Sequence, residues 1–181
     1  MGDQLPRRRI LRLRDYDYTQ SGAYFVTIVA QDRACLFGEV VHQRVYLNEA
    51  GKMIEKHWLA LPQRFSHIET DSFIVMPNHF HSILVVAPDQ RAGTSPAPTA
   101  KHMGAVALGH VVGAFKSITT WDYARGVHEQ GWPRFRQRLW QRNYYEHVIR
   151  DEGDLLRARQ YIDANPANWS LDEENPNVAG R

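Results

Sequence analysis

The chain has a single cysteine, no apolar run of membrane-spanning length and almost no net charge. Cys35 alone excludes an intrachain disulfide framework, which indicates a reducing compartment. No stretch approaches the roughly 20 apolar residues of a transmembrane helix, and the arginines at 7–9 are not followed by the apolar segment of a signal peptide. A net charge of +2 identifies no acidic partner by itself. We therefore expect a soluble cytoplasmic protein.

The chain does have enough apolar material for one core. Hydrophobic residues occupy 43% of the 181 positions and aromatic residues 11%, which suffices for a single domain. We place that domain at 21–166, after a basic arm at 1–20 and before a polar tail at 167–181 that we expect to be frayed. The arm is either a solvated tail or a phosphate-contacting segment. Its arginines are Arg7, Arg8, Arg9, Arg12 and Arg14.

Residue patterns in the first half predict strands around one helix. Runs of β-branched and aromatic residues predict a strand at 23–30, a short hairpin at 37–47 and a second hairpin at 73–86. Asn48 is a suitable N-cap for a helix with apolar residues at helical spacing, and Pro62 is expected to end it.

The second half is predicted to contain two more helices and one strand. A loop rich in Gly, Pro and Thr spans 88–103, and a helix follows from about 105 to 124. A strand lies within 134–150, and a last helix at 151–164 ends at Asn165-Pro166. The buried stripe of the helix at 105–124 is predicted to comprise Leu108, Val111, Val112, Phe115, Ile118 and Trp121.

This order of elements predicts an α+β fold. It matches a ferredoxin-like, split βαβ sandwich, in which a central antiparallel sheet has helices packed mainly on one face. The order of the strands within the sheet does not follow from the pattern.

The hairpin at 73–86 carries a pair of histidines. His79 and His81 alternate along its second strand and therefore emerge on the same face. Two imidazoles on one strand face form half of a metal site, but two hydrogen-bonded structural histidines would satisfy the same pattern. Spacing alone leaves both interpretations open.

The last helix offers a second half for such a site. Tyr161 and Asn165 are four residues apart and share one helix face with Asp154 and Ala158. A phenol with a pKa of about 10 attacks a phosphate only if that phosphate is polarised, as by a divalent ion on the paired histidines with Asn165 as an oxygen ligand. Alternatively, the tyrosine simply packs and the asparagine ends the helix.

Arginines alternate with aromatic residues between positions 134 and 150. This composition suits single-stranded DNA, because unstacked bases lie on aromatic faces while guanidinium groups meet phosphates. A strand in this segment must bury one side, so Trp140 and one adjacent tyrosine are alternatively core residues. The candidate DNA contacts are Lys116, Arg134, Arg136, Arg138, Trp140, Arg142, Tyr144 and Tyr145.

Three ordered blocks give the chain a family resemblance. They are residues 76–81 (MPNHFH), 139–150 (LWQRNYYEHVIR) and 159–166 (RQYIDANP). With these blocks the chain resembles the REP-associated tyrosine transposases, a branch of the single-tyrosine His-hydrophobic-His (HUH) transposases. Shorter similar stretches lie at 15–18, 22–27 and 36–38, so the likeness extends to about Trp169.

The resemblance implies a metal-dependent single-strand DNA endonuclease and strand-transferase. Such enzymes act on palindromic hairpin DNA (repetitive extragenic palindromes) through a 5′-phosphotyrosine intermediate, and they use Mg²⁺ or Mn²⁺. The resemblance makes His79 and His81 metal ligands, Tyr161 the nucleophile and Asn165 an amide ligand, where insertion-sequence relatives have glutamine. Residues 21–166 would then be the catalytic domain, acting as a monomer or a homodimer.

Two other functions fit the same residues. A rolling-circle replication initiator or relaxase also uses paired histidines, although such enzymes usually have further domains or a second tyrosine. A non-catalytic hairpin or single-stranded DNA-binding protein would need only the basic and aromatic segment. A histidine-triad nucleotide hydrolase is excluded, because its third histidine would fall at Ile83.

Overall fold

A computed structural model of the chain describes residues 22–87 and 108–178. The predicted arm at 1–20, the predicted loop at 88–103 and the start of the helix predicted from 105 lie outside the described residues. The strands are β1 (Gly22–Val29), β2 (Gly38–Val41), β3 (Arg44–Leu47), β4 (Ile68–Val75), β5 (His79–Val86) and β6 (Tyr145–Ile149). The helices are α1 (Glu49–Leu59), α2 (Leu61–Arg64), α3 (Leu108–Gln130) and α4 (Glu152–Ala164).

Four strands form one antiparallel sheet in the order β4-β5-β1-β6, and β2 pairs with β3 in a separate hairpin. Because β5 lies between β1 and β4, the β1-α1-β4 unit is split by a strand that comes later in the chain. The predicted α+β, ferredoxin-like fold is confirmed, and the strand order is added by the structure. Within 22–87 and 108–178, no helix is long and apolar enough to cross a membrane.

One face of the sheet packs against α1 and α3 and forms the core. Tyr24, Val26 and Ile28 alternate along β1 and are fully buried on this face. Trp58 of α1 lies between the sheet and α3, with its ring 4.8 Å from Phe80 and 5.3 Å from Phe115 between centroids. Burying side chains of this size stabilises the fold by about 1.5–3 kcal/mol each.

Only the N-terminal end of α1 agrees with the prediction. Asn48 caps the helix through its Oδ1, which accepts a hydrogen bond from the Gly51 amide at 2.9 Å. Pro62 does not end the helical region as expected; it lies in the first turn of α2, where its missing amide hydrogen is not needed.

The predicted stripe of α3 holds for its first turns and then fails. Trp121 is 64% exposed, and Thr119 and Tyr123 are buried in its place. Successive steps of three residues each fall about 60° short of a full turn, so the predicted stripe drifted off the buried face. The helix also continues to Gln130, beyond the expected end near Ala124.

The opposite face of the sheet carries α4. Ile162 is the buried residue of this helix, whereas Leu156 is 55% exposed. Arg159 adds a bidentate pair to Asp71 of β4, with N–O distances of 2.9 and 2.5 Å. The helix is therefore held on the sheet by a short apolar contact and an ion pair.

The chain after α4 is ordered as far as the described residues extend. We expected a frayed tail from 167, and this was wrong for 167–178. Trp169–Leu171 forms a 3₁₀ turn, and Glu174 and Asn175 are buried. Glu174 bonds Arg33 at 2.8 Å, and its carbonyl accepts a 2.6 Å hydrogen bond from Asn78.

Candidate active site

The predicted histidine pair lies on the α4 face of the sheet. His79 and His81 of β5 are 0% and 4% exposed, and their ring centroids are 4.5 Å apart. In the β1–β5 register His79 is opposite Val29, and His81 is opposite Thr27. Thr27 is in turn opposite Tyr145 of β6, so one row of side chains crosses the sheet from His81 to Tyr145.

The hydrogen bonds of Asn78 determine the tautomer of His79. The Asn78 amide Nδ2 donates to the carbonyls of Arg33 (2.9 Å) and Glu174 (2.6 Å), which leaves its Oδ1 facing His79 Nδ1 at 2.9 Å. Because an amide oxygen only accepts, His79 Nδ1 carries the proton and Nε2 keeps a free lone pair. His81 Nδ1 has a comparable partner in the Thr27 hydroxyl at 2.8 Å. Contacts of this kind orient histidines that bind metals.

Three possible ligand atoms of these residues and of Asn165 have no hydrogen-bond partner among the described residues. They are the Nε2 atoms of His79 and His81 and the Oδ1 of Asn165, and all three are buried. Asp172 places a carboxylate oxygen 3.7 Å from His79 Nε2. His79, His81 and Asp172 each offer an atom within 4.8 Å of the others, and together they form a group that could hold a metal ion.

Buried imidazole nitrogens without partners are costly, so this donor set fits a bound cation. Burial lowers the pKa of His81 well below its ordinary value, and neighbouring His79 lowers it further. Burial also lowers the pKa of His79, although the Asp172 and Glu174 carboxylates oppose the shift. Both rings are therefore neutral at neutral pH, which is the form that binds a metal.

Tyr161 meets the histidine pair from α4. Its ring lies edge-on to His81 at 5.2 Å and to Phe25 at 5.7 Å between centroids, and the residue is 52% exposed. Asn165 lies one turn further along and is 2% exposed. Burial, together with the Asp172 carboxylate, raises the pKa of Tyr161. The structure thus brings together the four residues that we expected to share a site.

A large cleft opens to the solvent beside Tyr161 and Asn165. It has a volume of about 1110 Å³, and we refer to it as the α4 cleft. Its floor is the sheet, one wall is α4 and another is the chain at 168–174. Residues that line it include Phe25, Thr27, His81, Gln141, Asn143, Tyr144, Tyr145, His147, Asp154, Tyr161, Asn165 and Asp172.

The predicted DNA contacts separate into distinct groups. Tyr144 and Tyr145 line the α4 cleft, and Tyr145 is 51% exposed. Lys116, Arg138 and Arg142 line a second, smaller cavity of about 380 Å³. Of the predicted DNA contacts, Arg134 and Arg136 are exposed and line neither of these cavities.

Trp140 does not offer its ring to DNA, so that expectation is corrected. The residue is 3% exposed, and its ring lies 4.9 Å from Phe37 and 6.4 Å from Phe115. Its indole nitrogen donates to the Thr119 hydroxyl at 2.9 Å. An isolated bridge to Ala30 turns Trp140 toward the core, so of the two interpretations the core one holds.

Sequence reasoning missed Asp172 and Asn78. Asp172 was assigned to a frayed tail, and the only pattern that marked it was the acidic run at 172–174 after Trp169. The contact of Asn78 with His79 depends on two carbonyls distant in sequence. Neither role follows from local periodicity.

Comparison with known proteins gives a consistent set of relatives. No family model matches the chain. A protein of uncharacterized function from Haemophilus influenzae is 34% identical over 176 residues, covering 92% of each chain. A second protein of that organism, to which the name REP-associated tyrosine transposase is provisionally attached, is 27% identical over 155 residues, covering 83% of this chain and 73% of that protein.

A solved structure shares the fold. It is a REP-associated tyrosine transposase bound to a REP hairpin, with a TM-score of 0.54 and 18% sequence identity. The match covers 87% of this chain and 74% of that one.

Proposed function

We propose that the chain is a REP-associated tyrosine transposase that binds hairpin or single-stranded DNA and cleaves it through Tyr161. A relative of 27% identity to which that name is provisionally attached, and a solved member that shares the fold, support this proposal. The observation that carries this proposal is the contact between the Tyr161 ring and His81, at the edge of a cleft of about 1110 Å³. The solved relative is bound to a REP hairpin, which supports a palindromic hairpin as the substrate.

In the proposed reaction Tyr161 is the nucleophile. Its phenol oxygen forms a bond to phosphorus and loses its proton, while the bond from phosphorus to the 3′ oxygen breaks and that oxygen gains a proton. The products are a 5′-phosphotyrosine ester and a free 3′ hydroxyl. The ester conserves the energy of the broken phosphodiester, so a second 3′ hydroxyl can reverse the step and join strands.

A divalent cation, Mg²⁺ or Mn²⁺, is proposed to bind His79, His81 and Asp172, with Asn165 Oδ1 as a further oxygen ligand. Mixed nitrogen and oxygen donors suit Mn²⁺, and Mg²⁺ accepts one carboxylate with several waters. When bound, the ion would draw charge from a non-bridging phosphate oxygen and make phosphorus more electrophilic. Asn78 and Thr27 would keep the imidazoles aimed at it.

The DNA strand is proposed to cross the α4 cleft over β6. Tyr145 lies in the same cross-strand row as Thr27 and His81, so its exposed ring suits a base next to the cleaved phosphate. Tyr144 lines the same cleft. Arg134 and Arg136 are proposed to meet phosphates outside it.

One chain contains the whole set of catalytic candidates. Tyr161 lies against His81 of the same chain, which supports catalysis within a monomer. A homodimer that exchanges tyrosines would require α4 to leave this position.

A covalent adduct tests the proposal. Protein incubated with a single-stranded hairpin oligonucleotide and Mn²⁺ should form a DNA–protein band that survives SDS. The band should disappear with chelator and with His81→Ala, and it should remain with His128→Ala, a change at an exposed histidine of α3. Full adduct yield in chelator would contradict the metal assignment, and binding without any adduct would favour a non-catalytic hairpin-binding protein.

A further inference from the structure

The smaller cavity carries an unusual concentration of positive charge. We refer to it as the basic pocket; it has a volume of about 380 Å³. Its lining, as far as the described chain shows, contains three cationic side chains and no carboxylate. The lining residues are Lys116, Ser117 and Thr120 of α3 and Arg138, Trp140, Gln141 and Arg142 of the segment before β6.

Lys116 is held in place at the base of this pocket. Its ammonium donates to the carbonyls of Gln141 at 2.7 Å and Arg142 at 3.0 Å. An ammonium has three donors, so one more is available for a ligand. Burial, and then the charge of Arg138, lowers the pKa of Lys116 to about 8. A half-buried cation beside a second cation is unfavourable until an anion joins them.

The basic pocket has a fixed position relative to the α4 cleft. Gln141 lines both cavities. The backbone amide of Gln141 donates to the Val29 carbonyl at 2.9 Å, and the nearby Leu139 carbonyl accepts from the backbone amide of Gln31 at 2.8 Å. These bonds tie the segment to the end of β1, so the two cavities lie on either side of one anchored stretch of backbone.

We propose that the basic pocket binds a phosphate group of the DNA at a point outside the α4 cleft. Arg138 and Arg142 offer planar forks that match phosphate oxygens, and Lys116 adds its remaining ammonium donor, while Ser117 lies beside this set without contributing a proposed contact. This inference rests on the proposed function, because it takes DNA as the ligand. The pocket contains no candidate nucleophile of the reaction, so its task is to raise the affinity for the strand.

Two sources could supply the phosphate. An internal phosphodiester of the strand and a terminal 5′-phosphate present the same oxygens to the pocket. Oligonucleotides with and without a 5′-phosphate distinguish them.

Ser117 allows a test that leaves the fold intact. It is exposed on α3, and both glutamate and glutamine are good helix formers. Ser117→Glu places a carboxylate where the phosphate is proposed to sit, whereas Ser117→Gln adds the same bulk without charge. Arg138→Gln removes one proposed contact, and Arg125→Gln is a control elsewhere on α3, where the arginine is already paired with Asp122.

Fluorescence anisotropy with a short labelled single-stranded oligonucleotide, in chelator, gives the affinity of each variant across a salt series. We expect Ser117→Glu and Arg138→Gln to weaken binding roughly tenfold at low salt, and Arg138→Gln to flatten the log–log salt slope by about 0.7. Ser117→Gln and Arg125→Gln should bind within about twofold of the natural chain. Equal affinities for Ser117→Glu and Ser117→Gln, or an unchanged slope for Arg138→Gln, would overturn the proposal.

The adduct assay separates this inference from the proposed function. At saturating DNA the Arg138→Gln and Ser117→Glu variants should form the Tyr161 adduct at the natural single-turnover rate, because the pocket acts on binding alone. A rate defect that saturating DNA does not repair would contradict a role in binding alone. If the natural chain binds DNA with these effects but forms no adduct, the cleavage proposal fails and the pocket stands.

Discussion

Tyr161 lies edge-on to His81 at 5.2 Å although the two side chains come from different elements, α4 in the wall of the cleft and β5 in its floor. Phe25 contacts both rings, stacked on His81 at 5.5 Å and edge-on to Tyr161 at 5.7 Å. This aromatic floor sets the distance between the phenol and the two imidazoles. A phosphate held by a cation at the unpaired Nε2 atoms would therefore lie close to the proposed nucleophile.

Asp172→Asn should weaken Mn²⁺ binding by about tenfold or more, because a hard divalent ion loses an anionic ligand. Isothermal titration with Mn²⁺ measures the change. Asp163→Asn, at an exposed carboxylate of α4, serves as the matched control and should bind as the natural chain does. Unchanged affinity for Asp172→Asn would remove Asp172 from the site.

Trp140→Ala should lower the free energy of unfolding, and it should have no specific effect on base stacking. Loss of a buried indole typically costs about 3–5 kcal/mol, and Trp140→Phe should cost less because it keeps an aromatic ring and loses the bond to Thr119. Urea denaturation followed by circular dichroism gives both values. A destabilisation below about 1 kcal/mol for the alanine variant would be inconsistent with a core role.

Tyr145→Ala should weaken single-strand binding roughly tenfold, since stacking a base on an aromatic ring is worth about 1–3 kcal/mol. Tyr145→Phe should bind normally, because the ring and not the hydroxyl makes the contact. Tyr46→Ala removes an equally exposed ring from β3, at 54% exposure, and should have no effect. Equal losses at positions 145 and 46 would mean that the cleft has no special role.

Asp71→Asn should loosen α4 and slow adduct formation, because the Arg159 pair holds this helix on β4. The hydrogen bond from Arg159 is the main cause that lowers the pKa of Asp71 to about 2. Because the pKa of Asp71 is lower in the folded chain than in the unfolded chain, the ion pair stabilises the fold at pH values above the unfolded pKa. That stability is lost as the pH falls toward the folded pKa of about 2.

The melting temperatures of natural and Asp71→Asn chains should therefore differ by a constant amount from pH 7 to about 5 and converge below about 4. A difference that grows as the pH falls would contradict the ion-pair explanation.

Much of this site follows from local patterns. Alternation along β5 was enough to place His79 and His81 on one face, and helical spacing placed Tyr161 and Asn165 on another. Which face of the sheet α4 would cover does not follow from spacing, because the same helix could pack on either side. The family resemblance supplied the pairing of the two halves.

The remaining features depend on tertiary contacts. Asp172 lies 3.7 Å from His79, and Glu174, two residues further on, is held by Arg33 and Asn78. No periodicity in the sequence encodes these contacts. Trp140 could have faced DNA or the core, and the bridge to Ala30 decided between them. The predicted stripe of α3 was wrong at Trp121 for a simpler reason. Steps of three residues drift around a long helix, so an apolar residue such as Trp121 can lie on its exposed side.

The most direct test of the account is to map the covalent link. The protein is incubated with single-stranded hairpin DNA and Mn²⁺, digested with nuclease and protease, and the nucleotide-bearing peptide is sequenced by mass spectrometry. We predict a 5′-phosphate ester on Tyr161, with no adduct but normal DNA binding for Tyr161→Phe. An adduct on Tyr144 or Tyr145, or undiminished yield from Tyr161→Phe, would contradict it.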